Sequence, residues 1–404
     1  MIKGLYKVKK SHIVYAVLAA VVILLNVIAW NSTVFCDAYI KYVFPVWVNT
    51  YGRVMNLFPF SVGEIMLFLA VVLTVVFVAV MLAAGLGRLM AALGNTGKNE
   101  ERTAVTGGSR SRRQKGGFSR YYMTFYVWLV LIVCMIMTLN CTILYHASTF
   151  SEKYFGTSER EYTLDDLIKV RNLVVEKCNE LSGWMERNEK GEIICHKDIR
   201  QEAVIAMQKL GEDYDQLDGY YPYPKPLATS DFFSQQYMCG YYFPFSMEAN
   251  YNDTMYIMNK HATMCHELAH LRGYIYEDEA NFISYLACIG TEDPVMQYSG
   301  YLSVLNYLDN DYYKAVGKDW DTYIMQPRIL QQVHDDNVFL TQEEWDRIED
   351  KAVLDTETVD EVSDAFTETV LKANGVKDGM ISYSRVVKLL LQYYEYMSFV
   401  DNAP

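Results

Sequence analysis

Three apolar runs restrict this chain more than any other feature in it. Ile13 to Trp30, Val62 to Leu86 and Tyr121 to Tyr145 contain no Asp, Glu, Lys or Arg except Glu64. Each has about the 20 residues a helix needs to cross the hydrocarbon core of a bilayer. In lipid, a backbone satisfies its own polar groups only as a helix or a closed barrel, so each run reads as a spanning helix. Trp30, Tyr121, Tyr122 and Tyr145 sit at the ends of the runs, where amphipathic rings favour the membrane–water boundary. Lys3, Lys7, Lys9 and Lys10 precede the first run as they would in a signal peptide, but Asn31-Ser32-Thr33-Val34-Phe35 is not a small-x-small cleavage site. The first run therefore reads as an uncleaved anchor. A hydrophobic content of 51% over 404 residues suits an anchor plus one further domain.

Charge sets the expected orientation. The loop from Gly87 to Arg120 carries eight Lys and Arg, whereas Asn31 to Ser61 carries only Lys41 and Arg53. Basic loops stay in the cytoplasm. The N-terminus and the 87–120 loop are then cytoplasmic, and everything after about His146 is outside. Residues 1–144 hold 14 Lys and Arg against 4 Asp and Glu, a net of +10, and the remainder nets −23. An acidic outer domain excludes nucleic acid as its partner. The basic, Gly/Ser-rich stretch 107–120 reads as a disordered loop touching anionic lipid.

The chemistry concentrates at His266-Glu267-Leu268-Ala269-His270, followed by Gly273 and by Glu277-Asp278-Glu279-Ala280-Asn281. On a helix, residues four apart share a face, so His266 and His270 can offer two imidazole nitrogens to one ion. Glu267 stands one step round the helix, free to take a proton from water. Catalytic zinc takes three protein ligands and keeps one position open, so a third ligand is needed from the acidic cluster. Glu277 and Asn281 share one helix face with Ala280 and Ser284, while Glu279 shares its face with the core-like Ile283 and Leu286. Glu277 is the expected ligand and Glu279 the alternative. Asn281 would then hydrogen-bond a ligating histidine.

HELAH followed by Glu-x-x-Ala-Asn resembles the zincin superfamily, in particular its glutamate-ligand branch, the gluzincins. More narrowly, the chain resembles an uncharacterised bacterial family of three-span, zincin-like membrane proteins. That likeness rests on Gly240-Tyr-Tyr-Phe-Pro-Phe-Ser246, Glu248-Ala-Asn250, the HELAH block, Tyr298-Ser-Gly-Tyr301, Lys372-Ala-Asn-Gly-Val376 and Ser382-Tyr383. It implies a protease-like zinc site in a bacterial, multi-pass membrane protein, with no known substrate. Two features depart from the gluzincin pattern. Glu277 follows His270 by only seven residues, and Arg272 is charged where an apolar residue is usual.

The expected architecture is mainly α with some β: a membrane anchor over 1–145 and a zincin-like, mostly helical extracytoplasmic domain over 146–404 with a small irregular sheet. Thr163 and Asp198 open helices, the second closing at Gly211, with His196 on the surface between them. Tyr241–Phe245 and Asn250–Ile257 read as strands, the first irregular because of Pro244. In zincin-like folds the strand beside the site helix binds extended substrate at its edge, which makes Asn250 a candidate contact. His261 lies off the metal face. Tyr298, Tyr301 and His334 are candidate donors to a developing oxyanion. Thr341 opens a helix by a capping box, Asp355 to Lys372 forms another, and Ser384 to Met397 the last. The eight cysteines lack CxxC spacing; Cys178 and Cys195 could pair, but free buried thiols are the simpler expectation.

These features point to a membrane-anchored zinc metallopeptidase. Its expected partners are the lipid bilayer and a peptide or protein substrate. Two other classes fit the same motif: a catalytically silent zinc-binding membrane scaffold, and a zinc hydrolase acting on cell-envelope material.

Overall fold

The computed structural model describes residues 10–95, 109–156, 161–352, 355–361, 363–364 and 384–401. The chain begins with α1 (Lys10–Asn31). A connector follows, built from α2 (Thr33–Tyr42), α3 (Phe44–Trp47), a π-helical turn Val48–Gly52 and α4 (Arg53–Met55). Next come α5 (Val62–Asn95) and α6 (Ser109–Met137). Three stretches, His12–Asn31, Val62–Gly87 and Tyr121–His146, are long and apolar enough to cross a membrane. They coincide with the three apolar runs. The loop expected to be disordered is helical at both described ends, as α5 continues to Asn95 and α6 starts at Ser109. Arg, Lys and Gln are good helix formers, and that strand of basic residues extends α6 backwards. Residues 96–108 lie outside the described set.

The chain divides into two compact units. One comprises 1–27 and 63–138, and the other 28–62 and 139–404. The connector groups with the residues after 138 in this division. Its inner stripe explains why. Cys36, Tyr39, Ile40, Phe44 and Val48 are buried, at the three- and four-residue spacing of one helix face.

The rest of the second unit is mainly helical. It contains α7 (Phe150–Tyr154), α8 (Leu164–Ser182), α9 (Ile199–Asp213), β1 (Lys225–Pro226), α10 (Ser230–Ser234), β2 (Gly240–Phe243), β3 (Glu248–Tyr251), α11 (Ile257–His270), α12 (Glu277–Ile289), α13 (Pro294–Ala315), α14 (Trp320–Tyr323), α15 (Gln331–Asp336), α16 (Gln342–Lys351) and α17 (Ser384–Asp401). The caps read from sequence are present. Thr163 and Asp198 accept backbone N–H groups at the starts of α8 and α9, and Thr341 does so for α16. α9 runs two residues past Gly211. His196 is exposed beside Glu186. Most of the expected helix from Asp355 to Lys372 lies outside the described residues. All eight cysteines are free, Cys178 and Cys195 included.

The sheet has three strands in the order β1-β3-β2, with β1 parallel and β2 antiparallel to β3. It is smaller than expected. Pro244 falls in the turn, and β3 stops at Tyr251 because Asn252 N–H bonds back to Cys239 O at 2.7 Å. Helix α11 packs against α9, α12, α13 and the β2–β3 pair, so the HELAH segment is enclosed on most sides.

Candidate metal centre

Helix α11 ends at His270, and Gly273 reverses the chain at φ +91, a left-handed conformation that costs glycine little. A Cβ on Gly273 would lie 2.9 Å from Ile40 of the connector, so the turn needs glycine for space as well as for conformation. The reversal leads into α12, whose first residue is Glu277. A carboxylate in a first helical turn also faces the positive end of the helix dipole.

Three donor atoms meet at this junction. His266 Nε2 lies 3.1 Å from His270 Nε2 and 3.0 Å from Glu277 Oε2, and His270 Nε2 is 3.9 Å from Glu277 Oε1. Among the described residues, these three form the group of His, Cys, Asp or Glu whose donors lie close enough to share an ion. A tetrahedral zinc with bonds of about 2.0–2.2 Å would separate its ligand atoms by roughly 3.3–3.6 Å. The observed separations bracket that spacing. Both outer ring nitrogens are already committed: His270 Nδ1 donates to Tyr274 O at 2.7 Å, and His266 Nδ1 to Asn281 Oδ1 at 2.8 Å. A neutral imidazole carries one N–H, so when both rings are neutral their Nε2 lone pairs face one point. Two nitrogens and a carboxylate oxygen form a donor set zinc accepts, and the outer hydrogen bonds are those that orient ligating histidines.

The electrostatics fit a site built around a cation. Burial alone would lower His266, but its hydrogen bond and charge contact with Glu277 push it up to about 9. Burial likewise works to raise Glu277, yet the same His266 partner holds it down at about 2. His270 falls to about 4 through burial and the positive charge of His266. In the metal-free cluster one proton is therefore shared between His266 and Glu277, and a metal must displace it. The imidazoles are largely buried, whereas the Glu277 side chain is 46% exposed, so the cluster opens to solvent on the Glu277 side.

Glu267 lies beneath the free edge of β2. Its pKa is raised to about 8 by burial, with His266 opposing, and it accepts a hydrogen bond from Tyr242 N–H. Its Oε2 is buried with no hydrogen-bond partner, a costly state for a polar atom unless a further group is served there. Gly240 makes room for this carboxyl. A Cβ at that position would lie 2.8 Å from Glu267 Oε1, 2.5 Å from Asn250 O and 3.0 Å from Thr263 Cγ2. The Asn252–Cys239 bond sets the phase of the ladder. Every second residue of an antiparallel strand bonds its neighbour, so Tyr241 and Phe243 turn their backbone groups to β3, and Gly240 and Tyr242 turn theirs to the open edge beside Glu267.

The other sequence candidates separate clearly. Asn281 is on His266, as expected. Glu279, the alternative ligand, is buried and accepts from Phe150 N–H instead, so the structure does not bring it to the cluster. Asn250 pairs with Tyr241 on the central strand. Residues that alternate along a strand face opposite sides, and Ala249 and Tyr251 share the side of Gly240 and Tyr242. Asn250 therefore points away from α11. The Tyr298 hydroxyl donates to Asp336, which also holds Arg187, and Tyr301 packs edge-on against Tyr285. His334 is exposed on α15. None of these three is brought to the cluster. Arg272 is buried against Tyr221 and bonds Gln216 O and Asp218 O. It ties down the loop after α9.

Sequence reasoning missed Gly240, Tyr242 and Tyr274. The Tyr242 ring lies 6.0 Å from His270, and the carbonyl of Tyr274 fixes the His270 tautomer. A glycine at the start of a strand just before the site helix was the available signal for the first. A backbone carbonyl leaves none. Another cleft lies away from this cluster, lined by Asp231, Asp253, Lys260, Glu344 and Arg347. Its cations are already paired, Arg347 with Asp231 and Glu344, and Lys260 with Asp253, so the chemistry stays with the histidines.

No curated protein and no solved structure matches the chain. One family model does, that described as "Protein of unknown function (DUF3810)", over residues 39–391. That match takes in most of the connector, the sheet, the metal centre and the start of α17, and the chain belongs to this family.

Proposed function

We propose that this protein is a membrane-anchored zinc hydrolase, most specifically a metallopeptidase, with its metal centre outside the cytoplasm. The observation that carries the reading is the convergence of His266 Nε2, His270 Nε2 and the Glu277 carboxylate, whose donor atoms lie 3.0–3.9 Å apart. Lone pairs that close repel each other unless a cation or a proton lies among them. His266, His270 and Glu277 would hold the zinc. A zinc ion there supplies Lewis acidity and lowers the pKa of water to about 7.

The chain's own groups divide the remaining work. Glu267 Oε2 takes a proton from water and returns it to the leaving amine. The outer edge of β2, where the Tyr242 N–H is held by Glu267, leaves the Gly240 backbone groups and the Tyr242 carbonyl to pair with an extended chain, which favours a peptide substrate. Asn281 and the Tyr274 carbonyl keep the imidazoles turned inward. The basic loop and N-terminus set the domain on the outer face, and the gluzincin likeness of the HELAH segment agrees with the whole.

The test uses the full chain in nanodiscs. Zinc content and cleavage of a mixed peptide library are measured for wild type, Glu267→Gln and His270→Ala. Wild type and Glu267→Gln are expected to retain zinc, His270→Ala to lose it, and only wild type to cleave. Cleavage by Glu267→Gln at the wild-type rate, or a wild type that holds no zinc, would overturn the reading.

A further inference from the structure

The connector between the first two apolar helices is apolar on both sides. Its inner stripe is core. Its outer side exposes Val34 (80%), Tyr42 (69%), Val46 (54%), Val54 (51%), Leu57 (80%) and Phe60 (47%). Soluble proteins rarely present an apolar surface this continuous. Several polar groups on that side bond within the chain, while the charged Lys41 and Arg53 are exposed. Asn49 Nδ2 donates to Pro45 O at 2.8 Å, Thr50 Oγ1 to Val46 O at 2.5 Å, and Trp47 Nε1 to Tyr39 Oη at 3.2 Å. Asp37 is held by Ser148 and Lys153. Such bonds satisfy the polar groups of Asn49, Thr50 and Trp47 in a water-poor layer.

We propose that the connector is an interfacial platform whose outer face is seated in the boundary between lipid headgroups and acyl chains. Chain continuity selects lipid as the occupant. The segment leaves one membrane-length helix at Asn31 and enters the next at Val62, so both of its ends are fixed at a bilayer surface. Its aromatic residues, Tyr42, Trp47, Phe58 and Phe60, together with Trp30 at the end of α1, suit that depth. An amphipathic element lying in the interface buries its apolar side by roughly 5–10 Å.

The platform also reaches the metal centre. Ile40 fills the space under Gly273, Met247 meets Gly52, Lys225 Nζ bonds Met55 O at 2.7 Å, and Val62 N–H bonds Glu248 Oε1 at 3.2 Å. The turn after His270 rests directly on the membrane-seated segment, so the histidine cluster works at the bilayer surface.

The test does not depend on catalysis. The full chain is placed in nanodiscs that contain a phosphatidylcholine with a diazirine near the top of one acyl chain. After photolysis, lipid adducts are mapped by mass spectrometry, and a water-soluble carbene reagent is used in parallel. Lipid adducts on 42–60 are expected at the level of the spanning helices. The equally exposed Trp184, Trp320 and Met325 of the same unit should take only the aqueous label. In the double variant Val46→Asp, Leu57→Asp, lipid adducts on the connector should fall several-fold while zinc content stays at the wild-type level. Connector labelling no higher than that of Trp320 overturns the proposal, as do unchanged adducts in the variant. Protection from both reagents also overturns it, since a second copy of the chain would then cover the face.

Discussion

Replacing Gly240 by Ala tests the placement of Glu267 more sharply than any change to the glutamate itself. Two effects oppose each other. Away from crowding, Gly→Ala at a backbone conformation alanine accepts stabilises by about 0.4–1 kcal/mol, because the unfolded chain has less freedom to lose. Gly240 has no left-handed φ, so this gain applies. Against it, the new methyl would meet Asn250 O at 2.5 Å, Glu267 Oε1 at 2.8 Å and Thr263 Cγ2 at 3.0 Å. Two of these neighbours cannot yield cheaply: a carbonyl in the β2–β3 ladder and a methyl on the site helix. Forcing a methyl into a filled site costs about 1–3 kcal/mol, so crowding wins. For a unit of this size, 1 kcal/mol corresponds to about 2–4 °C in Tm, and a net fall of a few degrees is expected in thermal unfolding of the full chain in detergent. Zinc content should stay near wild type, since no ligand is touched, while peptide cleavage falls with the displacement of Glu267. A Tm that rises would refute the reasoning, because it would show the entropic gain acting alone and no carboxyl beneath the strand.

Asn281→Ala removes the acceptor on His266 Nδ1 and should weaken zinc binding about 10–100-fold; competition with a chelator measures it, and an unchanged affinity would detach Asn281 from the site. Burial raises Glu279 to about 8, against the pull of Phe150 N–H, while the unfolded carboxyl titrates near about 4.3. A pKa raised by folding favours the neutral form, so this contribution is complete below the unfolded value and disappears as pH rises through the folded one. Glu279→Gln keeps an acceptor for Phe150 and should flatten the fall in Tm between about pH 5 and 8; an identical slope in both proteins would reject the burial argument.

Much of the site could be read from spacing. His266 and His270 had to share a face because they are four apart, and Glu277 with Asn281 repeated that spacing one helix later. Glu277 was preferred over Glu279 on the same grounds, and the packing of Glu279 against Phe150 shows a core-facing acid that the sequence could only suggest. The side on which Asn250 lies is not legible in the sequence, because a strand's two faces are indistinguishable until its neighbour's register is known. Tyr298 looked like a donor by residue type, and only the Asp336–Arg187 pair shows where its hydroxyl is spent. The connector did carry a signal. Cys36, Ile40, Phe44, Val48 and Gly52 recur every fourth residue, but between two membrane-length runs that stripe is hidden among other apolar residues.

That stripe decides how the protein can be handled. Ile40, Phe44 and Val48 are each essentially removed from solvent, and full burial of such side chains contributes about 1.5–3 kcal/mol apiece as an upper figure. Their sum rivals the roughly 5–15 kcal/mol that holds a whole domain together. A truncated product starting at residue 146 would lose this wedge along with its anchor, and should be recovered from expression as aggregate. Solubilising the histidine-bearing part therefore means carrying the first two hydrophobic helices with it, or supplying residues 28–62 as a separate strip.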